Sequence, residues 1–219
     1  MKKQILTAVA LAGSFATPAM AVDLTANAGL VTEYVFRGVP LSDGKSAAQG
    51  GVDAAFDSGF YVGTWGSSVK TPLDSGVEVD LYLGWGGETG DFNYGVGGTY
   101  YTYSEVLDED YVELNLSGGW KWLTLDIALG EYDTEPTQDY TFVSLTGEVG
   151  NGVYATVGGF GQDFDGYYFE AGYGDTLTVA DTDLFDYSIS YIYSDSDLPT
   201  LTDRENTLVF GIVKNFDIK

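Results

Sequence analysis

The chain has 219 residues, a net charge of −24 and 30 glycines, but it contains no histidine and no cysteine. Without these two residue types it has no Ser-His-Asp triad, no thiolate nucleophile, no disulfide and no ordinary zinc, copper or haem site. The 33 acidic residues against 9 basic ones also argue against binding to nucleic acid, because phosphates would be repelled.

Residues 1–21 have the pattern of a cleaved secretory signal peptide. Lys2 and Lys3 form the positive start, a short apolar stretch follows, and Ala19 and Ala21 supply the small residues that a signal peptidase needs. No later run of 18 apolar residues could form a transmembrane helix. We therefore expect residues 22–219 to form a single domain that is exported across the inner membrane.

The remaining chain alternates apolar with polar or small residues, as in residues 77–85, which predicts strands with one apolar face. Segments of about ten residues suit strands that cross a bilayer at a tilt. The fold predicted is all-β: a transmembrane antiparallel barrel of about 12 strands, with 10 as the alternative. The predicted strands are 23–37, 47–57, 59–68, 76–87, 92–104, 110–121, 122–132, 140–149, 153–162, 165–174, 183–194 and 205–216.

The links between these strands alternate in length. Short turns are predicted at 57–59, 88–91, 121–122 and 150–152, and longer polar links at 38–46, 68–75, 104–109 and 133–139. Outer-membrane barrels combine short periplasmic turns with long outer loops. Two links depart from the rhythm: residues 175–182 are too long for a turn, and residues 161–165 are short for a loop.

Aromatic residues are predicted to gather at the periplasmic ends of the strands, where amphipathic rings suit the membrane interface. They are Phe56, Phe60, Trp85, Phe92, Trp120, Trp122 and Phe216.

The first strands carry a family resemblance. Residues 31–38 (VTEYVFRG), 42–45 (SDGK), 48–53 (AQGGVD) and 59–67 (GFYVGTWGS) resemble the opening of the TorF family of porin-like proteins. This resemblance implies an outer-membrane barrel and supplies no catalytic or ligand residues. One departure is that Phe216 is followed by Asp217, Ile218 and Lys219, whereas such barrels commonly end on an aromatic residue.

Strand parity predicts which charged side chains line the lumen. Arg37 shares parity with Glu33 on the first predicted strand, about 13 Å away at ~3.3 Å per residue, so its partner would be a carboxylate elsewhere on the wall. Arg37 is interpreted either as a constriction charge that selects solutes or as half of a structural ion pair. The predicted pore-lining residues are Glu33, Arg37, Asp53, Glu78, Asp80, Glu113, Asp126, Glu148 and Glu170.

Two segments resemble known ligand-binding motifs, but neither is expected to bind a ligand. Residues 158–163 resemble a single calcium-binding nonapeptide, but such sites need stacked repeats. The glycines of residues 95–98 are not followed by a helix that could cradle phosphate. The acids Glu105, Asp108, Glu109 and Asp110, with Asp195 and Asp197, are interpreted as solvated loops, with weak divalent-cation bridging to anionic lipids as the alternative.

The function predicted is a non-enzymatic outer-membrane channel for passive diffusion of small polar solutes or cations, with no cofactor, metal or catalytic residue. A carboxylate-rich wall would make it prefer cations. Three alternatives remain: a side-chain-plugged structural or adhesive barrel, a soluble periplasmic β-sandwich that binds a ligand, and an outer-membrane enzyme. The expected partners are outer-membrane lipid and the permeating solute.

Overall fold

The fold is described from a computed structural model, which covers residues 22–104 and 108–218. The predicted signal peptide and the loop acid Glu105 lie outside the described residues. The strands are β1 (Val22–Val31), β2 (Val35–Phe36), β3 (Val39–Pro40), β4 (Ala47–Phe56), β5 (Phe60–Lys70), β6 (Ser75–Thr89), β7 (Phe92–Tyr103), β8 (Tyr111–Trp120), β9 (Leu123–Tyr132), β10 (Gln138–Gly150), β11 (Val153–Gln162), β12 (Tyr167–Val179), β13 (Thr182–Ser194) and β14 (Glu205–Ile218).

Twelve of these strands form one closed antiparallel barrel, in the order β1-β14-β13-β12-β11-β10-β9-β8-β7-β6-β5-β4. The barrel closes where β1 pairs with both β14 and β4, with Leu24 opposite Ile218 on one side and opposite Ala54 on the other. The predicted all-β barrel of about 12 strands is confirmed, and the alternatives of 10 strands and of a β-sandwich are wrong. No helix long and apolar enough to cross a membrane occurs within the described ranges.

Alternation along each strand separates an apolar outer surface from a polar interior. On β6, Val79, Leu81 and Leu83 are exposed on the outside, whereas Glu78 and Asp80 point inward and are buried. The cause is the two-residue period of a strand, which sends successive side chains to opposite faces. Large exposed apolar residues continue round the outside, including Leu114, Leu116, Leu125, Leu129, Val143, Leu145, Val157, Leu208, Phe210 and Ile212.

Long and short links alternate around the whole barrel. One end carries residues 32–46, 71–74, 104 with 108–110, 133–137, 163–166 and 195–204, and the other carries the turns 57–59, 90–91, 121–122, 151–152 and 180–181. The expectation that residues 175–182 are too long for a turn is wrong. Both β12 and β13 extend into that segment, and Ala180 and Asp181, with φ of 49° and 63°, close a two-residue turn.

The first strand is shorter than predicted. It ends at Val31 instead of residue 37, and residues 34–41 of the following link turn into the barrel. Thr32 still pairs with Phe210 of β14 through its backbone N–H and its hydroxyl, and the side chains of Tyr34 and Arg37 pack in the interior instead of continuing the wall.

Aromatic side chains gather at the turn end, as predicted. Trp85, Phe92, Trp120 and Trp122 lie beside the turns and are each 45% or more exposed. Phe92 stacks on Trp120, with ring centroids 6.3 Å apart, so the rings form part of a belt around this end. Phe60 and Phe216 are also exposed there, and Phe56, which is partly buried, packs on Phe60.

Candidate functional site: the barrel interior

Residues 34–41 form a small hairpin inside the barrel, which we call the inner hairpin. Its two strands pair Val35 with Pro40 and Phe36 with Val39. Arg37 and Gly38 form the tip, with φ of 51° and 82°. Glycine is required at the second position, because an added Cβ would lie 2.5 Å from the Cβ of Tyr168.

The tip is held by an ion pair between Arg37 and Glu113 of β8. Both guanidinium NH groups donate to the carboxylate, one of them at 3.0 Å, and the Glu113 side chain is 0% exposed. Tyr101, Asn115 and Tyr140 also donate to the same carboxylate. A bidentate pair with this many additional donors is the arrangement that compensates for burying two charges.

Aromatic rings enclose the guanidinium as well. Its Cζ lies 4.6 Å from the ring centroid of Phe36 and 4.3 Å from that of Phe142 on β10. In the closed strand order, β8 and β10 flank β9, which lies six places from β1 in either direction. The inner hairpin therefore crosses the lumen from β1 to the opposite wall.

Hydrogen bonds attach the rest of the hairpin to other parts of the wall. Tyr34 donates its hydroxyl to Glu78 of β6 at 2.8 Å and its backbone N–H to the Ser42 hydroxyl at 2.8 Å. Ser194, at the end of β13, donates to the carbonyl of Gly38 at 2.6 Å. With contacts to β6, β8, β10 and β13, the segment is fixed on several sides.

Tyrosines fill the space beside the tip. Tyr111 stacks between Tyr101 and Tyr132, with centroid separations of 4.2 and 4.4 Å, and Tyr140 stacks on Phe164 at 5.1 Å. This cluster and the inner hairpin occupy the part of the interior next to the long links, which we call the loop half.

The interior next to the short turns, which we call the turn half, is built differently. Its tyrosines lie along the wall over glycines of neighbouring strands: Tyr82 over Gly63, Tyr61 over Gly84 and Tyr154 over Gly172. In each case a Cβ on the glycine would lie 2.3–2.6 Å from a tyrosine atom. The rings therefore stabilise strand pairs without projecting into the centre.

Among the predicted pore-lining residues, those on the wall strands point inward by parity and Arg37 lies inside the barrel, whereas Glu33 contacts the exposed link residue Gly44, so they are not gathered at one point. Asp53 accepts a hydrogen bond from Tyr82, and Glu170 accepts one from Tyr154. Asp126 is partly buried on β9, and Glu148 is exposed near the turn end of β10. Glu78, Asp80 and Glu113 lie in the loop half.

Glu33 and Arg37 were predicted to lie on the first wall strand. Both instead lie in the segment between β1 and β4, outside the wall strands. Arg37 still faces the lumen, and its Glu113 partner is the wall carboxylate that was expected. Glu33 accepts a hydrogen bond from the N–H of Gly44 at 3.0 Å. Partial burial raises the pKa of Glu33, and that hydrogen bond opposes the rise.

Sequence reasoning missed the residues that hold the inner hairpin, chiefly Tyr34, Ser42 and Ser194. Only one local signal was available: Arg37-Gly38 sits between apolar pairs, as a tight turn between short strands would. The tyrosine cluster joins residues from four strands and a link, which spacing alone does not reveal.

Comparison with known proteins gives one family and several distant structures. The Gcw_chp family, described as bacterial protein of unknown function, matches residues 15–213. No curated protein matches the chain. The resemblance to the TorF family is not confirmed and stays a prediction.

Three solved structures from Pseudomonas aeruginosa are similar. OpdK with vanillate shares 13% identity over 78% of this chain and 57% of that one, with a TM-score of 0.42. A second structure of the outer membrane protein OpdK shares 13% over 89% and 61%, with a TM-score of 0.43. OccK2 (OpdF) shares 14% over 90% and 62%, with a TM-score of 0.41. The match spans about three fifths of each of those chains.

The family match covers almost all of the barrel, from before β1 into β14. This chain belongs to the Gcw_chp family of bacterial proteins.

Proposed function

We propose that this protein is a non-enzymatic outer-membrane channel that passes small polar solutes and prefers cations, with the inner hairpin as its constriction. The observation that carries the proposal is the charge of the interior. Eight of the nine predicted lining residues are acidic, and Arg37, the only basic one, is already paired with Glu113.

Placement in a membrane is supported by the outer surface. On β6 the exposed apolar residues run from Val77 to Trp85, and eight steps at ~3.3 Å span about 26 Å along the strand. At the tilt of about 35–45° that strands of membrane barrels have, this run gives an apolar band about 20 Å tall, and together with the aromatic belt it approaches the band of about 25 Å of such barrels. The predicted signal peptide, which exports the chain, makes the outer membrane the proposed location and its lipid the proposed surroundings.

Cation preference follows from unpaired carboxylates in a confined space. Asp126 and Glu148 keep contact with solvent, and neither forms one of the ion pairs found among the described residues. Carboxylates along a pore favour cations, and the low-dielectric wall focuses their field. The preference should weaken with rising salt, because exposed charges are screened beyond about 8–10 Å at 0.1–0.15 M.

The test is the reversal potential of the purified barrel in a planar bilayer under a KCl gradient. We expect a potassium preference that falls when Asp126→Asn and Glu148→Gln are combined. Changing the loop acids Glu109→Gln and Asp110→Asn together is the matched control and should change the preference less. A folded barrel that conducts chloride better than potassium would overturn the proposal.

A second candidate is a structural barrel with a closed lumen. It is favoured by the inner hairpin, which crosses to the opposite wall and is anchored by buried groups. Folded protein that inserts into the bilayer without conductance, while Arg37→Ala conducts, would favour this candidate.

Orientation can be checked on intact cells. An epitope at Leu73, which is 98% exposed at the loop end, should be labelled from outside, whereas one at Asn151 in a turn should not. Labelling of both sites, or of Asn151 alone, would contradict the proposed topology.

A further inference from the structure

Two neighbouring carboxylates in the loop half have oxygens with no partner. Glu78 and Asp80 are two residues apart on β6, so both point inward, and they are 1% and 4% exposed. Glu78 Oε2 and Asp80 Oδ1 are buried without a hydrogen bond. A buried carboxylate without compensation is costly, so this arrangement requires a physical explanation.

The ion pairs of the described basic side chains do not compensate the charges of Glu78 and Asp80. Arg37 pairs with Glu113, Lys121 with Asp91 and Arg204 with Asp195. Lys70 and Lys214 donate to the backbone carbonyls of Thr71 and Asp183. None of the ion pairs within residues 22–104 and 108–218 includes Glu78 or Asp80.

Hydroxyl groups surround the pair instead. Tyr34 donates to Glu78 Oε1 at 2.8 Å from the inner hairpin. Ser67 on β5 and Tyr103 on β7 are the register neighbours of Glu78, which places their side chains on the same face at ~5 Å between Cβ atoms. The surroundings are rich in oxygen ligands.

We propose that Glu78 and Asp80 bind one divalent metal cation of the calcium type, which joins β6 to the inner hairpin through Tyr34. Two negative charges balance the cation, and Ca²⁺ takes carboxylate and other oxygen ligands at about 2.3–2.6 Å. A cation bound by Glu78 Oε2 and Asp80 Oδ1 would give both of these buried oxygens a partner.

The affinity expected is modest. No group of three or more acidic, histidine or cysteine side chains suited to a metal occurs in the described part of the chain. With two acidic ligands, the site should resemble the weaker calcium modules, with a Kd of about 10⁻⁴–10⁻³ M, because affinity follows the number of charged ligands.

The test uses Tb³⁺, which replaces Ca²⁺ and emits when a nearby tyrosine is excited. In the purified full barrel, excitation of tyrosine should give terbium emission that added Ca²⁺ displaces. The double variant Glu78→Gln/Asp80→Asn should lose this emission, with Ca²⁺ affinity reduced about tenfold or more as ligand charge is removed.

The matched control is Glu170→Gln, another interior carboxylate beside a tyrosine, Tyr154, and it should bind as the unaltered protein does. Asp80→Asn alone leaves the Tyr34–Glu78 hydrogen bond in place and serves if the double variant does not fold. Ca²⁺ affinity unchanged in the Glu78 and Asp80 variants would overturn the site and assign the binding to the loop acids. Absence of displaceable emission would overturn it as well.

Discussion

The loop half and the turn half of the barrel interior differ in what lies between their walls, although both are walled by the same alternating strands. In the loop half, Arg37 and the tyrosines around Tyr111 project across the lumen and bury one another. In the turn half, Tyr82 and Tyr61 lie flat over glycines, and Glu148 is exposed.

The comparison teaches that the inner hairpin, and not the residue opposite each tyrosine, distinguishes the two halves. Tyr140 in the loop half lies over Gly130 of the next strand, just as Tyr82 lies over Gly63 in the turn half. Stacked tyrosines, such as Tyr101, Tyr111 and Tyr132, support one another and fill space. A barrel with one alternating pattern can thus have two interior halves that are built differently.

The largest expected effect comes from disrupting the loop half. Arg37→Ala leaves Glu113 buried without its cation and should lower the free energy of unfolding by about 3–5 kcal/mol. It should also raise single-channel conductance, because the tip of the inner hairpin is released. Denaturant unfolding in micelles and bilayer recordings measure the two effects.

The control lies in the turn half. Glu148→Gln changes an exposed carboxylate and should alter the free energy of unfolding by no more than about 0.5 kcal/mol. Equal losses for Arg37→Ala and Glu148→Gln would show that the two halves do not differ as described.

The next effect concerns the outer surface, which both halves share. Leu81→Arg puts a charge on the lipid-facing side of β6 and should cost about 2–4 kcal/mol near the bilayer midplane. Asp80→Asn, one residue away and facing inward, should leave the barrel folded. Folding into liposomes, followed by heat-modifiable gel mobility, tests both, and equal tolerance would contradict the assignment of the two faces.

A smaller effect is expected at the turn of the inner hairpin. Gly38→Ala forces a Cβ to within 2.5 Å of Tyr168 at a φ of 82°, and such strain costs about 1–3 kcal/mol. Gly118→Ala, where an added Cβ meets no atom within 4 Å, is the control and should be neutral or stabilise by up to about 1 kcal/mol. Thermal unfolding of both variants measures the difference in stability. If Gly38→Ala were as stable as the unaltered protein, the described packing of the hairpin tip would be contradicted.

Much of the barrel was predictable because its wall obeys local rules. The period of two in residues 77–85 and the short turns fix the strands and their faces, so the inward direction of Glu78, Asp80, Glu113 and Asp126 followed from parity. Strand ends were less predictable. The sequence of residues 175–182 suggested a link, but β12 and β13 extend into it.

The inner hairpin was not predictable, because its contacts are long-range. Residues 32–37 continue the parity of β1, and long-range contacts such as that of Arg37 with Glu113, 76 positions along the chain, show that the segment leaves the wall after Thr32. The hydrogen bond from Ser194 to Gly38 spans 156 positions. Contacts between residues so far apart in the chain leave no periodic pattern in the local sequence.

The smallest effect is expected at the exposed rim of the loop half, and it tests whether proximity to the filled interior is enough to make a contact important. Tyr100 donates a hydrogen bond to the Asp110 carboxylate, and this bond holds the pKa of Asp110 below its usual value. Because the pKa is lower in the folded state, the stabilisation exists above the unfolded pKa of about 3.9 and is lost as pH falls through the folded value. Tyr100→Phe should therefore return the pKa of Asp110 toward normal in an NMR titration, while stability at neutral pH changes far less than in Arg37→Ala. If the substitution leaves the pKa of Asp110 unchanged, Tyr100 is not the cause of the lowered pKa. A loss of stability as large as that of Arg37→Ala would show that the rim and the interior unfold as one cooperative unit.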